Sequence, residues 1–93
     1  MSMLHIQVTQ EDIDSGKQSS TDNCAIARAL KRQLGLNFIS VSGLAVMIGG
    51  FYYESPDTIS RFVHDFDKDK TLVFPQELLL DRGSPIPQSY VFS

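Results

Sequence analysis

The chain has 93 residues, of which 42% are hydrophobic and 20% are charged, and its net charge is −3 at pH 7. This length predicts one domain whose core needs no disulfide or metal, and an acidic chain has no overall attraction to nucleic acid or anionic membranes. No apolar run is long enough to span a bilayer, and the first residues do not resemble a signal peptide. Together with the lone Cys24, these features predict a cytoplasmic protein.

A strand and a short helical turn are predicted at the start of the chain. Residues 4–8, "LHIQV", alternate apolar and polar side chains as a half-buried strand does. Thr9 and Asp12 then stand at capping-box spacing, which predicts a short helical turn closed by Gly16.

The stretch 22–35, "DNCAIARALKRQLG", has the pattern of an amphipathic helix. Asp22 or Asn23 is the predicted N-cap, and Gly35 is the predicted end, because glycine readily adopts the left-handed conformation there. The apolar stripe consists of Ile26, Leu30 and Leu34.

Three strand-like runs follow this helix: "FISVS", "LAVMI" and "FYYE". Gly49-Gly50 separates the last two and could be a phosphate-binding loop or a tight turn. A phosphate-binding loop opens directly onto a helix, whereas four residues of strand follow here. We therefore predict a two-residue hairpin turn with positive φ at both glycines.

A second helix and a last strand complete the pattern. Ser55 is the predicted N-cap and Pro56 the first helical residue, and the apolar face comprises Ile59, Phe62, Val63 and Phe66. After "DKDK", the runs "TLVF" and "QELLL" predict a strand interrupted or edged by Pro75.

The predicted elements run in the order β-α-β-β-β-α-β. Strands joined by short turns pair antiparallel, and each amphipathic helix needs one covered face. The simplest solution is an α+β two-layer sandwich, a mostly antiparallel sheet of four or five strands with two helices on one face. We expect residues 1–80 to form this single domain and residues 81–93, which hold two prolines, to form an extended C-terminal tail.

The motifs "VTQEDIDSG", "CAIARALKRQLG", "RFVHDFD" and "VFP" follow one another over roughly residues 6–80. Their order resembles a family of small proteins encoded by bacteriophages and some bacteria, with a threonine-glutamine-acid start, a cysteine-initiated helix and a phenylalanine-aspartate helix end. Ala25 departs from the family's proline, and Lys68-Asp69 from its small residue. The resemblance implies the fold and a phage or mobile-element setting, hence the host cytoplasm. It implies no activity and no functional residues.

Acidic side chains are concentrated in residues 51–81, which carry seven acidic and three basic residues. Mutual repulsion makes such a density costly, so it indicates either a solvated surface or a basic partner. Both interpretations stay open at this point. The predicted partner-binding acidic face consists of Glu54, Asp57, Asp65, Asp67 and Asp69.

The alternative binding surface is basic and lies around the helix at 22–35. Three cations at helical spacing, with one more in the preceding loop, could bind phosphate. They could instead form a solvated face near the negative end of the helix dipole, and the net acidic charge of the chain favours this interpretation. The residues of this alternative nucleic-acid-binding surface are Lys17, Arg28, Lys31 and Arg32.

Metal binding and catalysis are not predicted. Asp65, Asp67 and Asp69 match the spacing of a calcium loop, but Lys70 replaces its essential glycine and no glutamate stands at its twelfth position. Cys24, His5 and His64 form neither a tetrahedral metal set nor a recognisable nucleophile and base. We expect no enzyme activity, no cofactor and no metal.

Two hypotheses of function remain. The first is a non-catalytic protein-binding module, a phage or mobile-element inhibitor of a host defence system in the manner of anti-CRISPR proteins. Its partner would be a host protein or protein complex. The second is a nucleic-acid- or nucleotide-binding module that uses the basic helix. Neither hypothesis requires a membrane, and the chain would act as a monomer or a homodimer.

Overall fold

The structure is a computed structural model, and it describes residues 3–83, 85 and 86. The strands and helices in chain order are β1 (Met3–Val8), α1 (Gln10–Ser15), α2 (Ala25–Leu34), β2 (Ile39–Val41), β3 (Ala45–Ile48), β4 (Phe51–Glu54), α3 (Asp57–Lys68) and β5 (Gln76–Asp81). A 3-10 turn, Lys70–Leu72, links α3 to the segment before β5. The predicted α+β class is confirmed. The predicted order β-α-β-β-β-α-β holds apart from one addition, since the short turn predicted after β1 is a helix of its own, α1.

The strands form two antiparallel sheets instead of the predicted single one. β1 pairs with β5, and β2, β3 and β4 form a three-stranded meander. Short turns determine the pairing within the meander, so the sequence predicts it directly. The partner of β1 lies some 70 residues away along the chain, as the Gln7–Glu77 side-chain contact shows. No local pattern specifies such a distant partner, and the single-sheet expectation was wrong for that reason.

The turn between β3 and β4 confirms the hairpin prediction. Gly49 has φ +58° and Gly50 has φ +92°. Both values lie in the region that side chains with a Cβ rarely adopt. Ile48 and Phe51 are direct partners in the register, so the two glycines are the whole connection. Gly49-Gly50 is a turn and not a phosphate site.

The N-terminus of α2 differs from the prediction. The N-cap is Cys24, which makes no side-chain cap hydrogen bond, and the predicted caps Asp22 and Asn23 lie before it. Asp22 instead accepts a hydrogen bond from the Ser20 hydroxyl at 3.0 Å, so its carboxylate serves the preceding turn. The end of α2 is as predicted, since Gly35 has φ +66° and its N–H donates to the Lys31 carbonyl at 2.9 Å.

Two further predictions after β4 were wrong in detail. Pro56, not Ser55, is the N-cap of α3, because the Ser55 hydroxyl donates to the Ser42 carbonyl at 2.8 Å. The run "TLVF" is not a strand, since the 3-10 turn contains Thr71 and Leu72 and strand pairing begins only at Gln76.

One continuous hydrophobic core lies between the helices and the two sheets. Each strand contributes the side chains of one face, and α2 and α3 contribute the stripes that the sequence predicted. The chain after β5 returns to the meander, where the Ile86 N–H donates to the Tyr52 carbonyl at 2.6 Å. Most of the predicted tail, residues 84 and 87–93, lies outside the described residues. The largest fully buried core side chains are Phe66, Ile6, Ile13, Ile26, Leu30, Ile39, Ile48, Ile59 and Leu80.

Candidate functional site

A groove lies between one flank of α3 and the segment that connects the 3-10 turn to β5. Its volume is about 340 Å³, and its lining is mainly apolar. Two large apolar side chains in it remain in contact with water, since Leu72 is 50% exposed and Phe74 is 64% exposed. The lining residues are Asp57, Thr58, Arg61, Phe62, Asp65, Leu72, Val73, Phe74 and Gln76.

The helical wall of the groove carries charges of both signs. Asp57, Arg61 and Asp65 are spaced four residues apart, so they project from the same flank of α3. Phe62 lies beside them and anchors this flank to the core. Within the described residues, Arg61 forms no ion pair with either carboxylate. Arg61 therefore does not neutralise either carboxylate of this wall.

The opposite wall of the groove is formed by the end of the 3-10 turn and the residues after it. Asp69 caps this turn, because its Oδ1 accepts hydrogen bonds from the Thr71 N–H and hydroxyl, each at 2.9 Å. Leu72 ends this turn, and Val73 and Phe74 follow it. All three side chains line the groove. Val73 also packs against the core, whereas Leu72 and Phe74 remain exposed.

The structure brings two of the five predicted acidic residues to this groove, Asp57 and Asp65. Glu54 is exposed at the end of β4. Asp67 supports the loop before α2, since its Oδ1 accepts from the Ser19 N–H at 2.8 Å. Asp69 caps the 3-10 turn, and the hydrogen bonds from the Thr71 backbone and hydroxyl hold the pKa of its carboxyl below its ordinary value.

Half of the predicted basic surface makes contacts within the protein. The Arg32 guanidinium forms an ion pair with Asp12 at 2.6 Å and donates to the Gln7 carbonyl at 2.8 Å. The Lys31 ammonium donates to the Asp22 carbonyl at 2.5 Å. Lys17 is exposed in the loop after α1. Two of the four cations thus serve to join α2 to its neighbours.

A second pocket, also about 340 Å³, lies over this basic surface. Arg28, Lys31 and Arg32 line it, but so do Glu11 and Asp12. Two carboxylates oppose three cations there, which weakens the attraction for a phosphate. Lys17 is not among the lining residues.

Cys24 is a packed thiol at the start of α2. It is only 4% exposed, and burial raises the pKa of the thiol, outweighing the hydrogen bonds from the backbone of Ala27 and Ile26. His5 contacts Glu77 at 3.0 Å and His64 contacts Asp65 at 3.4 Å, so neither imidazole serves Cys24 as a base. A buried thiol with a raised pKa is a poor nucleophile.

The calcium-like spacing in "DFDKDK" does not form a calcium loop. Asp65 and Asp67 lie within α3, which continues to Lys68, and Asp69 turns its carboxylate toward Thr71. Among residues 3–83, 85 and 86, no three histidine, cysteine, aspartate or glutamate side chains are placed to hold a metal ion.

The groove itself was missed by sequence reasoning, which assigned Leu72 and Phe74 to a strand. One signal could have identified the turn. Asp69 stands two residues before Thr71, and aspartate accepts hydrogen bonds from the backbone two residues on. Such a turn, followed closely by Pro75, argues against a continuous strand over this stretch.

Comparison with family models, curated proteins and solved structures gives no significant match to the chain. The resemblance to a phage and bacterial family therefore stays a prediction from the sequence motifs. In the part of the chain that the structure describes, no helix has the length and apolar character needed to cross a membrane.

Proposed function

We propose that this chain is a non-catalytic protein-binding module, a phage or mobile-element inhibitor of a host defence system. The groove between α3 and residues 72–76 supports the binding function, and it is the proposed binding surface. The setting in a phage or mobile element rests on the sequence motifs alone. The partner is a host protein or protein complex that presents apolar side chains next to basic ones.

The observation that carries this proposal is the exposure of Leu72 and Phe74 inside a concave surface. Exposed apolar side chains are ordinary when scattered singly, but adjacent ones in a groove bordered by charges are typical of protein interfaces. Phe74 is an aromatic residue with room around it, the kind of side chain on which binding energy concentrates. Asp57 and Asp65 would contact basic residues at the rim of the interface.

The first experiment compares capture of partners from a host lysate by matched variants. Leu72→Ser with Phe74→Ser removes the apolar contacts of the groove. Leu44→Ser is the control, because Leu44 is 85% exposed and does not line the groove. A partner identified by mass spectrometry should be retained by the control and lost by the groove variant.

The purified partner then gives a quantitative test. Its dissociation constant should rise at least about tenfold for the groove variant and change little for Leu44→Ser, since interface energy concentrates in a few buried side chains. Equal affinity for both variants, with both folded, would remove the groove from the proposal. Inhibition of defence is tested separately, by counting plaques on a host that expresses either variant.

The alternative is a nucleic-acid-binding module that uses Lys17, Arg28, Lys31 and Arg32. One observation favours it: Arg28 Nε is buried and has no hydrogen-bond partner among the described residues. The nearby carboxylates of Glu11 and Asp12 count against it. Binding to single- and double-stranded DNA and RNA at several salt concentrations distinguishes the two functions, because phosphate contacts make affinity fall steeply with salt. Steep salt-dependent binding, lost in Arg28→Ala with Lys31→Ala, would favour this alternative.

A further inference from the structure

Side chains of α2 occupy part of the outer edge of β1. Gln33 Oε1 accepts from the Gln7 N–H at 2.6 Å, and Gln33 Nε2 donates to the His5 carbonyl at 2.9 Å. The Arg32 guanidinium donates to the Gln7 carbonyl at 2.8 Å. These bonds occupy three of the outward backbone groups that a further strand would need, so they hinder the addition of a strand to β1.

The same bonds establish the orientation of the backbone in β5. In an antiparallel pair, residues that exchange hydrogen bonds with the partner strand alternate with residues whose backbone groups face outward. His5 and Gln7 face outward toward α2. Their register partners, Leu79 and Glu77, therefore face away from β1 on the other side of the sheet. Asp81, two residues beyond Leu79, does the same.

The outer edge of β5 has no partner within the described chain. Residues 3–83, 85 and 86 make no hydrogen bond with the backbone N–H or C=O of Glu77, Leu79 or Asp81. All three side chains are exposed, Leu79 by 42%. An uncovered edge of this kind is a template for an added strand. The contrast with β1, whose edge is partly occupied, makes β5 the side from which this sheet can grow.

We propose that the outer edge of β5 binds an extended segment of the partner protein as an added strand. This segment carries an apolar residue opposite Leu79 and basic residues opposite Glu77 and Asp81. Residues directly opposite one another in neighbouring strands have their side chains on the same face, so the charges would lie in contact. The inference rests on the proposed protein-binding function, for which it supplies the chemistry of the partner.

A second copy of this chain fits the edge poorly. Two-fold pairing that places Leu79 opposite its own copy also places Glu77 opposite Asp81 of the copy, and does so twice. The neighbouring registers instead place Leu79 opposite a carboxylate. Like charges directly opposite destabilise paired strands. A basic segment avoids this repulsion between like charges in every register.

The edge and the groove are continuous. Gln76 is the first residue of β5 and also lines the groove. A strand that pairs along β5 would therefore lead directly to the exposed Phe74. One extended segment of a partner could occupy the edge and then place an apolar side chain in the groove.

Amide hydrogen exchange of the full chain tests whether the edge is open. The amides of Glu77, Leu79 and Asp81 should exchange about 100-fold faster than those of Leu78 and Leu80, which face β1. Equal protection of both sets at high dilution would overturn the proposal, because something in the chain would then already cover the edge. Protection that grows with protein concentration would also overturn it, since the occupant would be a second copy.

A synthetic peptide of seven residues tests the chemistry of the occupant. It has lysine at positions two and six, valine at position four and threonine elsewhere, and a control peptide has glutamate in place of lysine. At millimolar concentration the lysine peptide should shift the amide signals of Glu77, Leu79 and Asp81, with a dissociation constant at least about tenfold below that of the control. No shift, or equal shifts, would contradict the proposal.

Two variants at Leu79 distinguish binding at the edge of β5 from binding in the groove. Leu79→Pro removes an N–H that β1 does not use, whereas Leu79→Thr keeps it. The proline variant should lose the peptide and bind the partner at least about tenfold more weakly, and the threonine variant should retain both. Should Leu79→Pro not fold, the peptide experiment on the unchanged chain decides.

The groove variant Leu72→Ser with Phe74→Ser should still bind the lysine peptide at the edge. If that variant loses the partner while a folded Leu79→Pro keeps it, the groove function stands and the edge proposal fails. If Leu79→Pro loses the partner and the groove variant keeps it, the edge proposal stands and the groove assignment fails.

Discussion

At the scale of single residues, Asp12 is a buried carboxylate that links two helices. It is 1% exposed, and it forms a capping box with Thr9 at the start of α1. Its other oxygen forms the ion pair with Arg32 of α2. A buried carboxylate is tolerated only when its oxygens are hydrogen-bonded, and here both are. One side chain thus ties α1 to α2.

We predict that Asp12→Ala lowers the free energy of unfolding by about 1–3 kcal/mol, because it breaks the capping box of α1 and removes the ion-pair partner of Arg32. Glu11→Ala, which removes the same charge from the exposed neighbour, should change it by less than about 0.5 kcal/mol. Urea unfolding of both variants measures this difference. Equal stability of the two variants would show that the ion pair contributes nothing.

The carboxyl of Asp69 makes a pH-dependent contribution to the 3-10 turn. Its pKa is lowered from 3.8 by the hydrogen bonds from Thr71. A group with a lowered pKa in the folded state stabilises the protein above its unfolded pKa, and that contribution disappears as the pH falls through the folded pKa. We expect the Thr71 amide signal to move with an apparent pKa below 3.8, and the movement to be absent in Asp69→Asn. An apparent pKa at or above the ordinary value would contradict this expectation.

At the scale of elements, the sequence predicted the helices and the hairpin turn, because interactions between residues close in the chain determine these elements. The apolar stripes of α2 and α3 follow the helical period, and a glycine pair between two strands can only form a tight turn. The 3-10 turn was missed because one side chain, Asp69, creates it, and "TLVF" has high strand propensity. The groove could not be predicted, since it exists only where α3 and residues 72–76 lie side by side.

The hairpin turn between β3 and β4 should contribute measurably to the stability of the protein. Gly49→Val should lower the free energy of unfolding by about 1–2 kcal/mol, because a β-branched residue is strained at positive φ. Gly43→Ala is the matched control: no atom lies within 4 Å of the added Cβ, and the residue has no positive φ. It should leave stability unchanged or raise it by up to about 1 kcal/mol.

Thermal unfolding measures the stability of both glycine variants, and partner capture measures their binding. If Gly49→Val were as stable as the control but lost its partner, the hairpin turn itself would be a binding element. Loss of stability without a separate binding defect is the expected outcome.

At the scale of the whole molecule, the groove and the neighbouring edge of β5 combine exposed apolar side chains with carboxylates. The groove contains two carboxylates, and it meets the open edge of β5 at Gln76, which belongs to both. The basic side chains of α2 are instead used mainly to hold α2 to its neighbours. This asymmetry favours a basic protein partner over a nucleic acid.

Electrostatic attraction of such a partner predicts a kinetic effect. Asp57→Lys with Asp65→Lys should slow association with the captured partner at least about tenfold at low salt, because charged rims act mainly on the on-rate. Asp67 is left in place, since it supports the loop at Ser19. The control is Glu11→Lys with Asp14→Lys, which changes the charge equally away from the groove. Stopped-flow rates that are alike for both variants and insensitive to salt would refute the acidic surface.

The pairing of β1 with β5 also determines when the protein can fold during synthesis. His5 and Glu77, in contact in the folded protein, are 72 residues apart in the chain. While the ribosome makes the residues between them, β1 has no partner, and Ile6 and Val8 cannot be buried as they are in the native core. Closing so long a loop is entropically slow, and an unpaired apolar strand is prone to aggregate. A nascent chain stalled before β5 should therefore bind chaperones and be cut by proteases, and release of β5 should end both.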